Sequence, residues 1–402
     1  MSRELSVDEA LAELRESFGQ ISGHDTVAVG EARGRILATD VLSCVDLPAF
    51  DNSAMDGYAV RSEDCAQPAR LAVIGIALAG HPFDGVLSAG QAVRIMTGAP
   101  LPRGADAVAM SEDTDETDSG IRLTRGVTAG TNVRRKSEHV QRGECVLRKG
   151  RRLKPQDLGL AASVGAVSLE VIRRLKVGVL STGDELVDAP ADLSASGAYD
   201  GNRPLLCALA SASGYEVFDL GISADDPAAF ARALSLATSS GVDVLITTGG
   251  AAQGDADVVR HHGDVRFLPL DFRPGRGIAV GALRDRTHSV GLLGLPGNAV
   301  AAYIVYQLVA RPLLAWIAGA EAERPLTLSL PLALDARVKP GRIEWRRARL
   351  VRQDLTLAVE LLKDQGSAML RTVCDADALV AIGSATSRAG DHVATIPLAA
   401  FD

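Results

Sequence analysis

Three polar, glycine-rich segments each close an apolar run, and together they carry the groups needed to hold a phosphorylated ligand. Residues 175–181 run into Ser181, Thr182, Gly183, Asp184 and Glu185. Residues 243–249 run into a stretch with Thr247, Thr248, Gly249, Gly250, Asp255 and Asp257, and residues 289–295 run into Pro296, Gly297 and Asn298. Glycine lets backbone N–H groups approach an anion, and a helix opening after Asn298 adds the positive end of its dipole. Glu185, Asp226, Asp255 and Asp257 form a carboxylate set suited to Mg2+, a hard cation that shares carboxylate and phosphate oxygens. Asp226 has a competing role as a helix N-cap, because Pro227 occupies a natural first helical position. Arg273 and Arg276 flank a Pro-Gly turn suited to oxyanions, and Arg342, Arg346, Arg347 and Arg349 form a second basic set on a strand pattern. The P-loop and GxGxxG nucleotide modes lack their signatures.

Ligands of open parallel sheets bind at the carboxyl ends of strands, which is where these segments fall. The runs 175–181, 216–222, 243–249 and 289–296 are near-continuously apolar, as strands buried on both faces are. Helices predicted over 203–213, 227–239 and 297–318 supply the crossovers of a doubly wound α/β domain. Upstream, Ser6 and Glu9 have capping-box spacing and open a first helix through Leu11, Leu14 and Phe18. From Thr26 to Ala109 short strand-like runs between Gly, Pro and Asp turns read as a small β domain, and the acidic stretch 112–118 reads as a solvated hairpin. A short helix follows Pro155, and beyond Pro325 alternating strands return as a C-terminal β domain.

At 402 residues the chain needs several cores, and 47% hydrophobic with 23% charged residues describes a folded protein. A net charge of -8 disfavours a general nucleic-acid binder. Five widely spaced cysteines without a C-x-x-C pair fit a reducing compartment. The charged, helical N-terminus does not read as a secretory leader, and the apolar stretch 298–317 is broken by Gln307, Arg311 and Pro312, so it reads as a buried helix. A cytoplasmic protein with neither nucleic-acid nor membrane partners is expected.

The strings DNSAMDGYA (51–59), RIMTGA (94–99), STGDEL (181–186), Gly249-Gly250 and GLPGN (294–298) resemble the MoeA/gephyrin E-domain family, the molybdopterin molybdenumtransferases, and the match runs nearly end to end. The resemblance implies a segmented N-terminal domain (1–46 and 139–174), a β-rich domain (47–138), a molybdopterin-binding α/β domain (175–322) and a C-terminal β-barrel (323–402). It implies a homodimer, with molybdopterin adenylyltransferase and molybdenum-enzyme maturation proteins as further partners. The implied reaction is Mg2+-dependent insertion of molybdate into the dithiolene of adenylylated molybdopterin, with release of AMP. Glu185, Asp226 and Asp257 would hold metal and phosphate, and Asp51 and Thr97 would come from the other subunit. Ser181, Thr182, Gly183, Asp184, Gly249, Gly250, Pro296, Gly297 and Asn298 would hold the pterin ligand; Arg273, Arg276, Arg347 and Ser367 would surround molybdate. The chain departs from the family pattern in its paired arginines at 273 and 276, in Ala251, Ala252, Ala299 and Ala301, and in His139 at the end of RRKSEH. A weakened relative that binds molybdopterin or its nucleotide as a carrier is the alternative expectation.

Overall fold

The computed structural model describes residues 3–249, 265–284, 289–321, 325–339, 341–353, 355–383 and 386–401. The first helix, Val7–Ser17, opens on the expected capping box, in which the Glu9 carboxylate accepts from Ser6 N at 2.9 Å and Glu9 N donates to Ser6 Oγ. Its apolar face serves the α/β domain: Ala10, Leu11 and Leu14 lie in that domain's core, and Leu5 N donates to Pro269 O at 2.9 Å.

The α/β sheet has six strands in the order Glu216–Ser223, Lys176–Thr182, Val244–Thr248, Ser289–Leu295, Gly277–Arg284 and Arg266–Pro269. The first four are parallel, Gly277–Arg284 runs antiparallel to them, and Arg266–Pro269 pairs antiparallel with Gly277–Arg284. Sequence reading supplied the parallel four and not the antiparallel edge. The cause is connection length, since the link from Arg284 to Ser289 is far too short for the crossover that parallel neighbours require. Side chains alternate between two covered faces. Val177, Val179, Ile246, Leu293 and Leu295 join a core with helices Asn202–Ala212 and Ala299–Ile317, whereas Leu180, Leu245 and Leu292 pack with Phe230 and Ala237 of Pro227–Ser239. The sheet is therefore doubly wound. Ala299–Ile317 is apolar and long enough to cross a bilayer, but 89% of its hydrophobic window is buried inside the protein, so it is a core helix.

On the N-terminal side, His24–Ala28 pairs antiparallel with Ser168–Ile172, and Val41–Leu42 with Cys145–Leu147. The strand at Thr26 thus belongs with residues far downstream and not with the runs that follow it, which corrects the single β domain expected over 26–109. Period-2 patterning identifies a strand but not its partner. Inserted between these halves is a second sheet in the order Ala107–Met110, Gly57–Val60, Gln91–Ile95, Arg70–Ala77, Gly120–Leu123 and Thr114–Thr117. Its last pair is the acidic hairpin. The C-terminal sheet runs Phe272–Arg273, Ile343–Gln353, Ala378–Ile382, His392–Pro397 and Leu328–Pro331, with Thr356–Leu361 alongside Ile343–Gln353. Its first strand is lent by the α/β domain, since Arg273 lies in parallel register with Glu344.

Because Leu14 is 0% exposed and contributes to the α/β core from outside the sheet, Leu14→Ala should cost about 3 kcal/mol in urea unfolding of the full chain. An effect below about 0.5 kcal/mol would show that the helix is a detachable appendage.

Candidate active site at the carboxyl edge of the α/β sheet

The register places Thr182 beside Ser223, Ser181 beside Thr248 and Thr248 beside Leu295, so three of the polar segments emerge side by side at one sheet edge. Ser181, Thr182, Thr247 and Thr248 are all buried there. The hydroxyls of Ser181, Thr182 and Thr247 have no hydrogen-bond partner among the described residues. A buried hydroxyl left unpaired is costly, and three at one edge mark a place that favours a polar ligand. Gly249 has φ +84°, and a Cβ on it would lie 2.4 Å from the Thr182 carbonyl oxygen. On its other side the Gly249 Cα comes 3.5 Å from where a Gly297 Cβ would be. At position 249 only glycine permits this close approach.

Asn202, which sequence reading did not single out, ties the edge together. Its amide Nδ2 donates to Thr248 Oγ1 at 2.7 Å and to Gly297 O at 2.6 Å. The available signal was a polar residue at the start of the predicted 203–213 helix, and the observed helix indeed begins at Asn202. Behind it, Arg203 is 9% exposed and bonded to Asp188, Asp200 and Asp219, which fixes the loop that follows Glu185.

The acidic side of the edge differs from expectation in detail. Asp226 is the N-cap of Pro227–Ser239, its carboxylate accepting from Ala229 N at 2.8 Å. Asp225 is the residue that meets the other carboxylates: its N–H donates to Asp184 Oδ1 at 3.0 Å, and burial together with the charges of Asp184 and Glu185 raises its pKa. Asp184 and Glu185 are exposed at the rim. Asp257, Gly250, Asp255, Ala251 and Ala252 lie outside the described residues. Among the described residues, no three His, Cys, Asp or Glu side chains converge as a metal cluster. The donor set nevertheless suits Mg2+, which is held by one or two carboxylates plus phosphate oxygens; the crowding felt by Asp225 is what a cation would relieve.

The basic side is built by the C-terminal domain. Arg347 is 1% exposed, and burial pushes its guanidinium down to about 10, with Arg346 adding to the shift. Its Nε donates to Thr372 Oγ1 at 3.0 Å and its Nη2 to Gly366 O at 3.1 Å, while Gln365 brackets its backbone N and O. No carboxylate pairs with it among the described residues. The loop it holds is fastened to the edge, because Ser367 O accepts from Val300 N at 3.0 Å in the first turn of Ala299–Val305. Arg273 turns back on its own loop, donating to Phe272 O at 2.7 Å, and lies 3.6 Å from Glu4. Burial and the neighbouring Arg342 lower its pKa, and Arg276, exposed, adds to the same field. Gly275 between them has φ +111°, and a Cβ there would meet Val305 at 2.6 Å, so this turn rests on the helix that opens at Asn298. The Ser367 loop thus meets this helix at its first turn, and the Arg273–Arg276 turn meets it further along, at Val305. Ala299 is half-buried and Ala301 buried on the first helical turn.

The DNSAMDGYA segment lies in the inserted β domain and spends its polar groups on its own shape. Asp51 accepts from Arg135 Nη1 at 2.7 Å and from Lys136 N at 2.8 Å; Asp56 accepts from Thr97 N at 2.7 Å and Thr97 Oγ1 at 2.8 Å. Within one chain, no hydrogen bond or ion pair joins Asp51 or Thr97 to the α/β edge among the described residues. His139 is exposed, its N–H donating to Leu47 O at 3.0 Å.

The chain thus combines a segmented β domain, an inserted β domain, a doubly wound α/β domain and a C-terminal β domain whose buried Arg347 holds the loop fastened to the α/β edge. Three family models match: the MoeA N-terminal region (domain I and II) over residues 5–165, a probable molybdopterin binding domain over 178–316, and the MoeA C-terminal region (domain IV) over 329–398. The chain is 37% identical to a molybdopterin molybdenumtransferase of Haemophilus influenzae, covering 85% of each protein. It is 34% identical to molybdopterin molybdenumtransferase 2 of Mycobacterium tuberculosis, covering 82% of this chain and 84% of that one. The crystal structure of a molybdopterin biosynthesis MoeA protein from Pyrococcus horikoshii superposes with a TM-score of 0.84 at 28% identity, covering 98% of this chain and all of that one. This chain belongs to the MoeA family.

Two outcomes are expected from this geometry. With EDTA present, Asp226→Ala should lower stability by about 1 kcal/mol, the usual worth of an N-cap, as read by urea unfolding; no loss would deny the capping role. The pKa of Asp56 is lowered, first by the Thr97 N–H and then by the Thr97 hydroxyl, and that of Asp51 by the Lys136 N–H and then Arg135. Carboxylates with depressed folded pKa stabilise above their unfolded value of 3.8, and the contribution is lost as pH falls through the lower folded value. Asp56→Asn should therefore be less stable than wild type at pH 7, with the gap closing in strong acid.

Proposed function

We propose that this chain is a molybdopterin molybdenumtransferase that inserts molybdate into the dithiolene of adenylylated molybdopterin and releases AMP with the help of Mg2+. The observation that carries the reading is Arg347, a buried cation whose only described partners are neutral oxygens. A buried charge without a counter-charge is costly, and a dianion brought beside it supplies one. Ser367 sits at the first turn of the helix that opens at Asn298, and the turn carrying Arg273 and Arg276 rests on that helix at Val305. The buried Ser181, Thr182 and Thr247 hydroxyls and the Gly249–Gly297 approach support a pterin and phosphate site next to it.

When bound, Mg2+ would neutralise charge on the phosphoanhydride as AMP leaves; one or two of the rim carboxylates Asp184, Glu185 and Asp225, sharing it with phosphate oxygens, would hold it. Gly249 and Gly297 keep side chains out of the way of the ligand, and Asn202 holds their loops in register. Arg347 fixes the Ser367 loop, and Arg276, being exposed and unfixed by a carboxylate in the described structure, orients incoming oxyanion.

We propose further that the protein works as a cytoplasmic homodimer in which Asp51 and Thr97 complete the neighbouring subunit's site. Phe50 and Met55 support this, since they flank Asp51 and Asp56 yet stay 47% and 40% exposed, as residues awaiting a protein surface do.

Purified protein with adenylylated molybdopterin, molybdate and Mg2+ should release AMP and reconstitute a cofactor-free molybdenum enzyme. Glu185→Gln should lower the rate of AMP release by about 10²-fold or more, and Arg276→Ala should raise the molybdate concentration needed while sparing ligand binding. A one-to-one mixture of Asp51→Asn and Glu185→Gln subunits, refolded together, should regain about a quarter of wild-type activity, because half the dimers then hold one intact site of two. Ligand binding with neither AMP nor cofactor would replace this reading with that of a carrier.

A further inference from the structure

At the opposite end of the α/β strands lies a cavity of about 500 Å³, within the range of small-ligand sites. Its walls include Arg33, Arg35, Arg152, Lys154, Arg174 and Arg311, and no acidic residue lines it among the described residues. Six cations around one hollow stand out on a chain whose net charge is -8. Arg174 precedes the strand Lys176–Thr182, and Ser213, Gly214 and Tyr215 precede Glu216–Ser223, so the hollow sits at the amino ends of the strands. At about 3.3 Å per residue, that is roughly 20 Å along the strand from Thr182.

The arginines are held in place by the backbone around them. Arg152 Nη1 donates to Gly34 O at 3.1 Å and to Ser213 O at 3.2 Å, bridging the segmented domain and the α/β domain. Arg174 Nη1 donates to Gly214 O at 3.3 Å. Arg35 donates to Ile172 O at 3.0 Å and pairs with Asp25 at 2.5 Å. The carbonyl bond orients Arg174 without cancelling its charge, and its guanidinium carries five N–H donors, more than this bond uses, whereas Asp25 offsets the charge of Arg35. The long core helix makes a π-helical turn over Tyr306–Ala310, immediately before Arg311. Such turns recur at functional sites, and Arg311, which follows this one, lines the cavity.

We infer that this hollow is a second anion site, separate from the carboxyl edge, that takes a diphosphate group, free or carried by a nucleotide, and braces the joint between the segmented and α/β domains. Planar, charged donors converging from two domains match the oxygens of a pyrophosphate unit, for which bidentate charge-assisted bonds are short and strong. Clustered positive potential in a concave wall also concentrates anions at low ionic strength.

The test is isothermal titration of the full chain with inorganic pyrophosphate, ADP and AMP at low salt. Pyrophosphate should bind saturably, one per chain, with AMP far weaker, and should raise the thermal midpoint. The double substitution Arg33→Ala with Arg174→Ala removes two exposed side chains, and should weaken pyrophosphate binding by about tenfold or more while leaving the unliganded thermal midpoint unchanged. Arg276→Ala, at the carboxyl edge, should leave it intact. Equal affinity for pyrophosphate and ADP would identify the diphosphate alone as the ligand, and tighter ADP a nucleotide. No binding, or binding lost in Arg276→Ala and kept in the double variant, would overturn the site.

Discussion

A helix that is apolar around nearly its whole circumference must be enclosed on almost every side, and Ala299–Ile317 imposes that demand on the rest of the chain. Every residue from Val300 to Ala310 is buried. The sheet covers one flank through Leu293 and Leu295; the first helix covers another through Ala10, Leu11 and Leu14; Leu379 and Ile396 of the C-terminal domain share the same core. The segmented domain is drawn in as well, through Ile36, Ala38 and Ile172. Domains that look separable in sequence are therefore joined by one apolar core around a single helix, and the polar edge opens at that helix's first turn.

Against this apolar centre, Arg347 is an exception that organises its surroundings. A guanidinium at 1% exposure needs its donors satisfied, and the Thr372 hydroxyl and the Gly366 and Asp364 carbonyls are arranged to do so. The same loop reaches Val300, so the arginine's hydrogen-bonding demand and the docking of the C-terminal domain are one construction. Hydrogen bonds to neutral oxygens meet the geometry of the cation but not its charge, which leaves Arg347 without a counter-charge among the described residues.

Much of this was legible in the residues. The capping box at Ser6 and Glu9, the four parallel strands and the helix after Asn298 follow from local patterns, and the structure repeats them with boundaries shifted by one or two residues. What local pattern could not supply was pairing. Nothing near Thr26 indicates that its partner is Glu170, and nothing near Arg273 indicates that it lines up with Glu344 across a domain boundary. The site shows the same division. Polar residues after the strands could be found by position, whereas Asn202 and Asp225 owe their importance to neighbours brought from elsewhere. The Asp225 and Asp226 pair shows why: adjacent carboxylates have equal claims in sequence, and helix geometry gives the cap to one and turns the other toward Asp184 and Glu185.

The inserted β domain has a consequence for how the chain is made. Its sheet, from Gly57–Val60 to Gly120–Leu123, uses only strands that are contiguous in synthesis, whereas the surrounding domain cannot pair His24–Ala28 until Ser168–Ile172 has left the ribosome. During that interval the early strand presents an unpaired edge, a template for wrong partners. The inserted domain is free to fold first and hold the two ends of its insertion, Asn52–Ser53 and Val133–Arg134, side by side. It thereby shortens the effective loop that the outer strands must close, so a vectorially made chain meets its longest-range pairing with most of the separation already taken up.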